Sequence, residues 1–155
     1  PAIVRFVGGD VPFALRATRT MYEVTTGEHP VYQVPILGFR GTPTGVDGDP
    51  DRLVDDPTSS GKITARMLHL YQQTLAAFPD TGWGCYSPRP GTKSEHPLGR
   101  ACDITFGNRI GQRPTPAQLD AGWKVTNWMK DNADVLGVEY LIWQGQIWSV
   151  AQSFF

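Results

Sequence analysis

The 155-residue sequence has no long apolar run and no block of residues of one charge sign. None of its apolar stretches approaches the roughly 20 residues that a membrane-spanning helix needs, so no membrane span is predicted. The 14 basic residues nearly balance the 15 acidic ones, and without a basic cluster the sequence does not indicate nucleic-acid binding. Seven Phe, five Tyr and five Trp supply large apolar faces for one ordinary core or a substrate groove.

Three segments are expected along the chain. Residues 1–40 are predicted to form a β-rich N-terminal extension, whose candidate strands are Ala2–Val7, Phe13–Val24 and Val31–Phe39. Residues 41–60 are rich in Gly, Pro and Asp and are predicted to be a loop or linker. The aspartates of this stretch could suggest a calcium loop, but the later glycine and terminal glutamate of an EF-hand loop are missing. We therefore expect a solvated acidic loop, followed by the main domain over residues 61–155.

The main domain mixes helix and strand patterns. An apolar stripe predicts a helix over about Lys62–Phe78. A second helix is predicted from Thr115 to about Val135, because Thr115-Pro116-Ala117-Gln118 has the form of a capping box with proline in the first helical position. Val138–Trp143 and Gln146–Val150 are predicted to form a hairpin. This mixture favours an α+β fold with helices packed on an antiparallel sheet.

His96 and Asp103 form the most informative pair of residues. Imidazole nitrogen and carboxylate oxygen are both good Zn²⁺ donors, and Gly99 would let the backbone bend so that His96 could meet Asp103. If Asp103 lies on a strand, Ala101 points to the same face and leaves room there, while Cys102 points the other way. The alternative is a loop histidine and a surface aspartate that never meet.

The surrounding pattern resembles a known zinc signature. Ser-x-His-x-x-Gly-x-Ala-x-Asp is the first zinc-binding motif of the D-alanyl-D-alanine carboxypeptidase group, in the lysostaphin/D-Ala-D-Ala-peptidase/hedgehog superfamily. The matching positions are Ser94, His96, Gly99, Ala101 and Asp103. The flanking segments resemble those of secreted, mostly actinobacterial domains, and they are Gly84–Tyr86, Tyr140–Trp143 and Gln146–Ser149.

The resemblance implies a zinc peptidase fold with a specific set of site residues. His96 and Asp103 are the implied zinc ligands. Arg89 is a weaker match to an arginine that polarises the substrate carbonyl, and Glu139 is the candidate general base. Aromatic side chains, with Tyr86 and Trp143 as the candidates, are expected to line a groove for a cell-wall peptide.

One departure from the family pattern concerns the third zinc ligand. The superfamily supplies it from a His-x-His or Glu-x-x-His element on a later strand, but no histidine follows Asp103, and Ile142 stands where the ligand would be sought after Glu139. The other two histidines are His29 in a predicted turn and His69 on a predicted exposed helix face. Either the peptidase-like domain is truncated before that strand or it has lost its metal chemistry. We expect an incomplete, weak zinc site, with His29 as a distant alternative ligand.

Cys85 and Cys102 flank the metal motif. They could be zinc ligands, because thiolates bind zinc strongly, or buried free thiols of a cytosolic protein. We favour a disulfide, which would close the loop that carries Arg89 and His96 and would imply an oxidising compartment, secreted or in the cell envelope.

Three functions are compatible with the sequence. The first is a zinc-dependent hydrolase of peptidoglycan peptides. The second is a non-catalytic descendant that binds cell-wall peptide or a protein in the same groove. The third is a structural secreted module in which the His/Asp pair holds no metal.

Overall fold

The computed structural model describes residues 2–6, for which only the backbone is considered, and residues 43–152. The strands are β1 (Ala2–Phe6), β2 (Leu53–Asp55), β3 (Lys62–Thr64), β4 (Gly82–Gly84), β5 (Ala101–Thr105), β6 (Val138–Trp143) and β7 (Gln146–Ser149). The helices are α1 (Ala65–Ala77), α2 (Pro116–Asp131) and α3 (Ala133–Leu136), with 3₁₀ turns at His96–Leu98 and Val150–Gln152. The strands predicted at Phe13–Val24 and Val31–Phe39 lie outside the described residues.

The main sheet has five strands in the order β4-β5-β1-β6-β7. Its outer pairs, β4 with β5 and β6 with β7, are antiparallel, whereas β1 runs parallel to both β5 and β6. The α+β prediction is confirmed, but the sheet is mixed because the N-terminal strand occupies its centre. A strand at the start of the chain can be parallel to later strands only through long crossovers, and no local pattern reveals that pairing.

The segment before α1 differs from the sequence prediction. Lys62–Thr64, expected as the first turn of the helix, forms β3 and pairs antiparallel with β2, which lies inside the predicted linker. Thr64 then caps α1, and its hydroxyl accepts a hydrogen bond from the backbone N–H of Met67 at 3.2 Å. A threonine N-cap sets the start of a helix, so α1 begins three residues later than the apolar stripe suggests.

The capping box at the start of α2 is confirmed. The Thr115 hydroxyl accepts from the Gln118 N–H at 3.3 Å, and the Gln118 carboxamide oxygen accepts from the Thr115 N–H at 2.9 Å. The helix ends at Asp131, and the short α3 stops at Gly137, whose φ is +69°. Glycine adopts that left-handed conformation without a steric penalty.

The β6–β7 hairpin and the helices enclose the core. The predicted two-residue turn is confirmed, with positive φ of 52° at Gln144 and 73° at Gly145. Trp143 is 1% exposed and packs edge-to-face on Phe106. A Cβ on Gly122 of α2 would lie 2.1 Å from the Trp143 ring, so this glycine allows the helix to approach the sheet closely.

Candidate functional site

His96 and Asp103, seven residues apart in sequence, come together in the structure. Both are buried, with 3% and 4% of their surface exposed. The Nε2 atom of His96 lies 3.5 Å from the Oδ1 atom of Asp103. The alternative of two surface residues that never meet is therefore excluded by the geometry.

Gly99 and the 3₁₀ turn bring His96 to the end of β5. Gly99 has a φ of +67° and donates its N–H to the His96 carbonyl at 3.1 Å. Its own carbonyl accepts from the Thr64 N–H of β3 at 3.0 Å. An ion pair between Glu95 and Arg100 closes the base of the turn. The motif glycine thus reverses the chain and attaches the turn to β3.

A backbone carbonyl fixes the orientation of the His96 ring. Its Nδ1 atom lies 2.5 Å from the carbonyl oxygen of Cys85. Because a carbonyl oxygen only accepts, Nδ1 must carry a proton, and the lone pair of neutral imidazole is then on Nε2. Metal-binding histidines are commonly oriented by such a contact through the other ring nitrogen.

The two facing atoms of the pair are unsatisfied. Within residues 43–152, neither His96 Nε2 nor Asp103 Oδ1 has a hydrogen-bond partner, although both atoms are buried. A buried polar atom without a partner is costly. A lone pair facing a carboxylate oxygen is also repulsive unless a positive species, either a proton on Nε2 or a cation, lies between them. The arrangement fits two ligands of one cation.

Arg89 contacts the other oxygen of the same carboxylate. Its Nη2 atom donates to Asp103 Oδ2 at 3.2 Å. The arginine side chain remains 35% exposed while Asp103 is buried. Arg89 therefore lies at the site, paired with Asp103, and its side chain is partly exposed.

The predicted disulfide between Cys85 and Cys102 is present. Both cysteines are fully buried. Cys102 precedes Asp103 on β5, and the carbonyl of Cys85 holds His96. The bond therefore closes the loop that carries Arg89 and His96. One end of this loop contacts His96, and the other end adjoins Asp103.

Three other predicted site residues lie in different surroundings. Tyr86 is half-buried, and its ring lies against Gly61, where an added Cβ would meet the ring at 2.1 Å. Trp143 is in the core and offers no surface to a groove, which corrects its predicted role. Glu139 is exposed on β6, which is separated from β5 by β1. That position does not bring Glu139 to the His96–Asp103 pair.

Asp56 lies in the stretch that the sequence predicts to be a solvated acidic loop, but it is only 4% exposed. Its carboxylate accepts four hydrogen bonds, from the Thr58 N–H and hydroxyl, the Ser59 hydroxyl and the Tyr86 N–H, at 2.8, 2.8, 2.6 and 2.8 Å. The Asp-Pro-Thr-Ser run is typical of a side-chain-stabilised turn. The sequence therefore contains a signal for the turn at Asp56. It contains none for the hydrogen bond from the Tyr86 N–H.

The Asp56 network predicts a pH-dependent contribution to stability. Burial by itself raises the pKa of Asp56, but the hydrogen bonds from Ser59, Thr58 and Tyr86 outweigh it and hold the pKa below 3.8. A depressed native pKa stabilises the fold above the unfolded value and loses that effect as pH falls through the native pKa. We expect Asp56→Asn to be less stable than the wild type at neutral pH, with the difference shrinking in acid. Urea denaturation from about pH 7 to about pH 3 measures this; a constant difference would contradict it.

No complete set of metal ligands lies within the described part of the chain. Across residues 43–152, no group of three His, Cys, Asp or Glu side chains is arranged to hold an ion. His69 is half-buried on α1, and its Nε2 contacts the carbonyl of Thr44. His29, the alternative third ligand, lies outside the described residues. The His96–Asp103 pair could offer two ligands at most, where a catalytic zinc usually has three protein ligands.

Comparison with known proteins gives a family match. The family described as "VldE, C-terminal domain" matches residues 59–154, well over half of the chain. A 47-residue stretch is 49% identical to the protein YahG of Escherichia coli (strain K12), which is described as uncharacterized. That match covers 30% of this chain and 10% of YahG. No solved structure matches. None of the helices in the described residues is long and apolar enough to span a membrane.

Proposed function

We propose that this chain, which belongs to the VldE C-terminal domain family, is a zinc-binding, peptidase-like domain acting on bacterial cell-wall peptides. The zinc and the peptide substrate come from the resemblance of residues 94–103 to the D-alanyl-D-alanine carboxypeptidase signature. The proposal includes secretion or a location in the cell envelope, which the disulfide supports because such bonds persist in oxidising compartments.

One observation carries the proposal. The buried His96 Nε2 and Asp103 Oδ1 atoms face each other at 3.5 Å without hydrogen-bond geometry. The Cys85 carbonyl binds Nδ1, which leaves the lone pair of Nε2 available to a cation. Nitrogen and oxygen donors of this kind suit Zn²⁺, and a cation between them would satisfy both atoms.

The residues of this chain would divide the work of hydrolysis. His96 and Asp103 would hold the metal, which when bound supplies Lewis-acid polarisation and an activated water. Arg89 is paired with Asp103, and its side chain is 35% exposed. Guanidinium N–H groups that Asp103 does not use could bind a peptide carboxylate or the oxygen of the scissile carbonyl.

The edge strand β4 leaves space next to Asp103 at the position of a glycine. Gly84 of β4 pairs with Asp103, and paired residues of antiparallel strands face the same side of the sheet. A Cβ on Gly84 would meet nothing within 4 Å. Among the described residues, Gly84 therefore leaves room for one small group on the face of the sheet that carries the Asp103 side chain.

Zinc binding tests the proposal directly. We expect calorimetry to show weak Zn²⁺ binding that is lost in His96→Ala, which removes one of two ligands, and in Asp103→Asn, which replaces the anionic carboxylate with a neutral amide. His69→Ala is the matched control, since this histidine contacts Thr44 instead, and it should bind as the wild type does. Binding that survives in His96→Ala would sink the proposed site.

A non-catalytic binding module is the second candidate. It is favoured by the absence of a third ligand among residues 43–152, because an incomplete shell holds zinc weakly. Release of new amino groups or D-alanine from purified cell-wall peptides, with and without Zn²⁺, separates the two. Zinc-dependent release supports the hydrolase, whereas peptide binding that needs Arg89 but gives no release supports the module.

A further inference from the structure

We propose that Asp56 is a positioning residue that fixes the orientation of His96 through the backbone of Cys85 and Tyr86. The inference deepens the proposed function, on which it rests for the role of His96 as a ligand. It concerns a residue outside the motif, forty positions earlier in the chain.

A continuous set of hydrogen bonds connects the two side chains. Asp56 Oδ2 accepts from the Tyr86 N–H at 2.8 Å, and the Thr58 hydroxyl accepts from the Cys85 N–H at 2.9 Å. The same hydroxyl donates to Asp56 Oδ1 at 2.8 Å. The turn thus holds the two consecutive N–H groups of Cys85 and Tyr86. Their shared segment presents the Cys85 carbonyl to His96 Nδ1 at 2.5 Å.

The chemistry of this network makes it rigid. A buried, ionised carboxylate that accepts several N–H and O–H bonds forms charge-assisted contacts, which are shorter and stronger than neutral ones. The disulfide anchors the Cys85 side chain, but it does not set the direction of the Cys85 carbonyl. The hydrogen bonds to the N–H groups of Cys85 and Tyr86 do, because they fix the adjacent peptide planes.

Two substitutions break the network without removing bulk. In Asp56→Asn one carboxylate oxygen becomes an NH₂ group, which cannot accept a hydrogen bond from an N–H. In one orientation of the amide this group faces the Thr58 N–H, and in the other it faces the Tyr86 N–H. Thr58→Val keeps the shape but removes the hydroxyl. Asp55→Asn is the matched control, because Asp55 is the preceding residue, is 90% exposed and pairs only with Lys62 among the described contacts.

The decisive readout is the tautomer of His96, measured from the ¹⁵N shifts of its ring in the folded 155-residue chain. We expect one Nδ1–H tautomer in the wild type and in Asp55→Asn, and a mixture in Asp56→Asn and Thr58→Val. Loss of the direct outer partner of a ligating histidine typically weakens metal binding about 10-fold or more. The two network variants keep the Cys85 carbonyl but misdirect it, so Zn²⁺ affinity should fall by up to about that factor.

The outcomes separate this inference from the proposed function. The inference is overturned if both network variants keep a single Nδ1–H tautomer and bind Zn²⁺ as tightly as Asp55→Asn does. Absence of Zn²⁺ binding in the wild type overturns the proposed metal site, yet the tautomer comparison still decides whether Asp56 positions His96. A lower melting temperature alone, with the tautomer unchanged, would assign Asp56 a purely structural role.

Discussion

Replacing Gly99 with alanine is expected to destabilise the fold by about 3 kcal/mol or more, since strain and backbone overlap add together. The new Cβ would lie 2.5 Å from Ile63 Cα and 2.6 Å from the carbonyl oxygen of Lys62. Both are backbone atoms of β3, so no side-chain rotation relieves the overlap. The φ of +67° adds a cost of roughly 1–2 kcal/mol for a non-glycine residue.

Gly111 provides the control for Gly99. Its φ is +80°, but a Cβ there would meet nothing within 4 Å. Gly111→Ala therefore reports the backbone cost alone, roughly 1–2 kcal/mol. Urea denaturation of both variants measures the difference. Equal losses of stability would show that contact with β3 does not hold the turn, and the account of the motif glycine would fail.

Removing the disulfide is expected to lower the free energy of unfolding by about 3 kcal/mol. The bond joins residues 17 positions apart and so restricts the unfolded chain. The Cys85→Ala/Cys102→Ala double variant should unfold at lower urea and should not respond to reductant. Wild-type protein should shift towards the variant when it is reduced. Because Cys85 and Cys102 adjoin His96 and Asp103, Zn²⁺ binding should weaken as well.

The disulfide prediction has a direct chemical check. Thiol titration of the unfolded, unreduced wild type should find no free sulfhydryl. Two reactive thiols would contradict the bond and would remove the support that it gives to an extracytoplasmic location. If thiol titration confirms that the protein has been reduced but its stability is unchanged, the bond forms but does not stabilise the loop.

The sequence could predict the features that are encoded locally. The capping box of α2 and the two-residue hairpin turn depend on residues within a few positions of each other, and both are confirmed. The spacing of His96, Gly99 and Asp103 places a turn and a strand in the right order. That the two candidate ligands meet is implied by the resemblance of this segment to the zinc signature, and the structure brings them together.

Features that depend on distant pairing escaped prediction. Asp56 binds the N–H of Tyr86, and a backbone group carries no sequence signal. The register of the β1–β6 pairing shifts between Val138 and Leu141. Both residues are buried, although residues three positions apart on a regular strand face opposite sides of the sheet. Such an irregularity interrupts the alternation of faces. The simple period therefore does not reveal that Glu139 is exposed and Trp143 is buried.

The central position of β1 has a consequence for any fragment limited to the family match. Residues 59–154 include β4, β5, β6 and β7 but not β1. Without β1, the facing edges of β5 and β6 would be two strand spacings apart, roughly 9.5 Å, with unpaired N–H and C=O groups on both sides. Such a slot is a template for an added strand. A fragment of this kind would tend to capture an extended segment of another chain, or to aggregate, and the strand that fills the slot would lie directly beside Asp103.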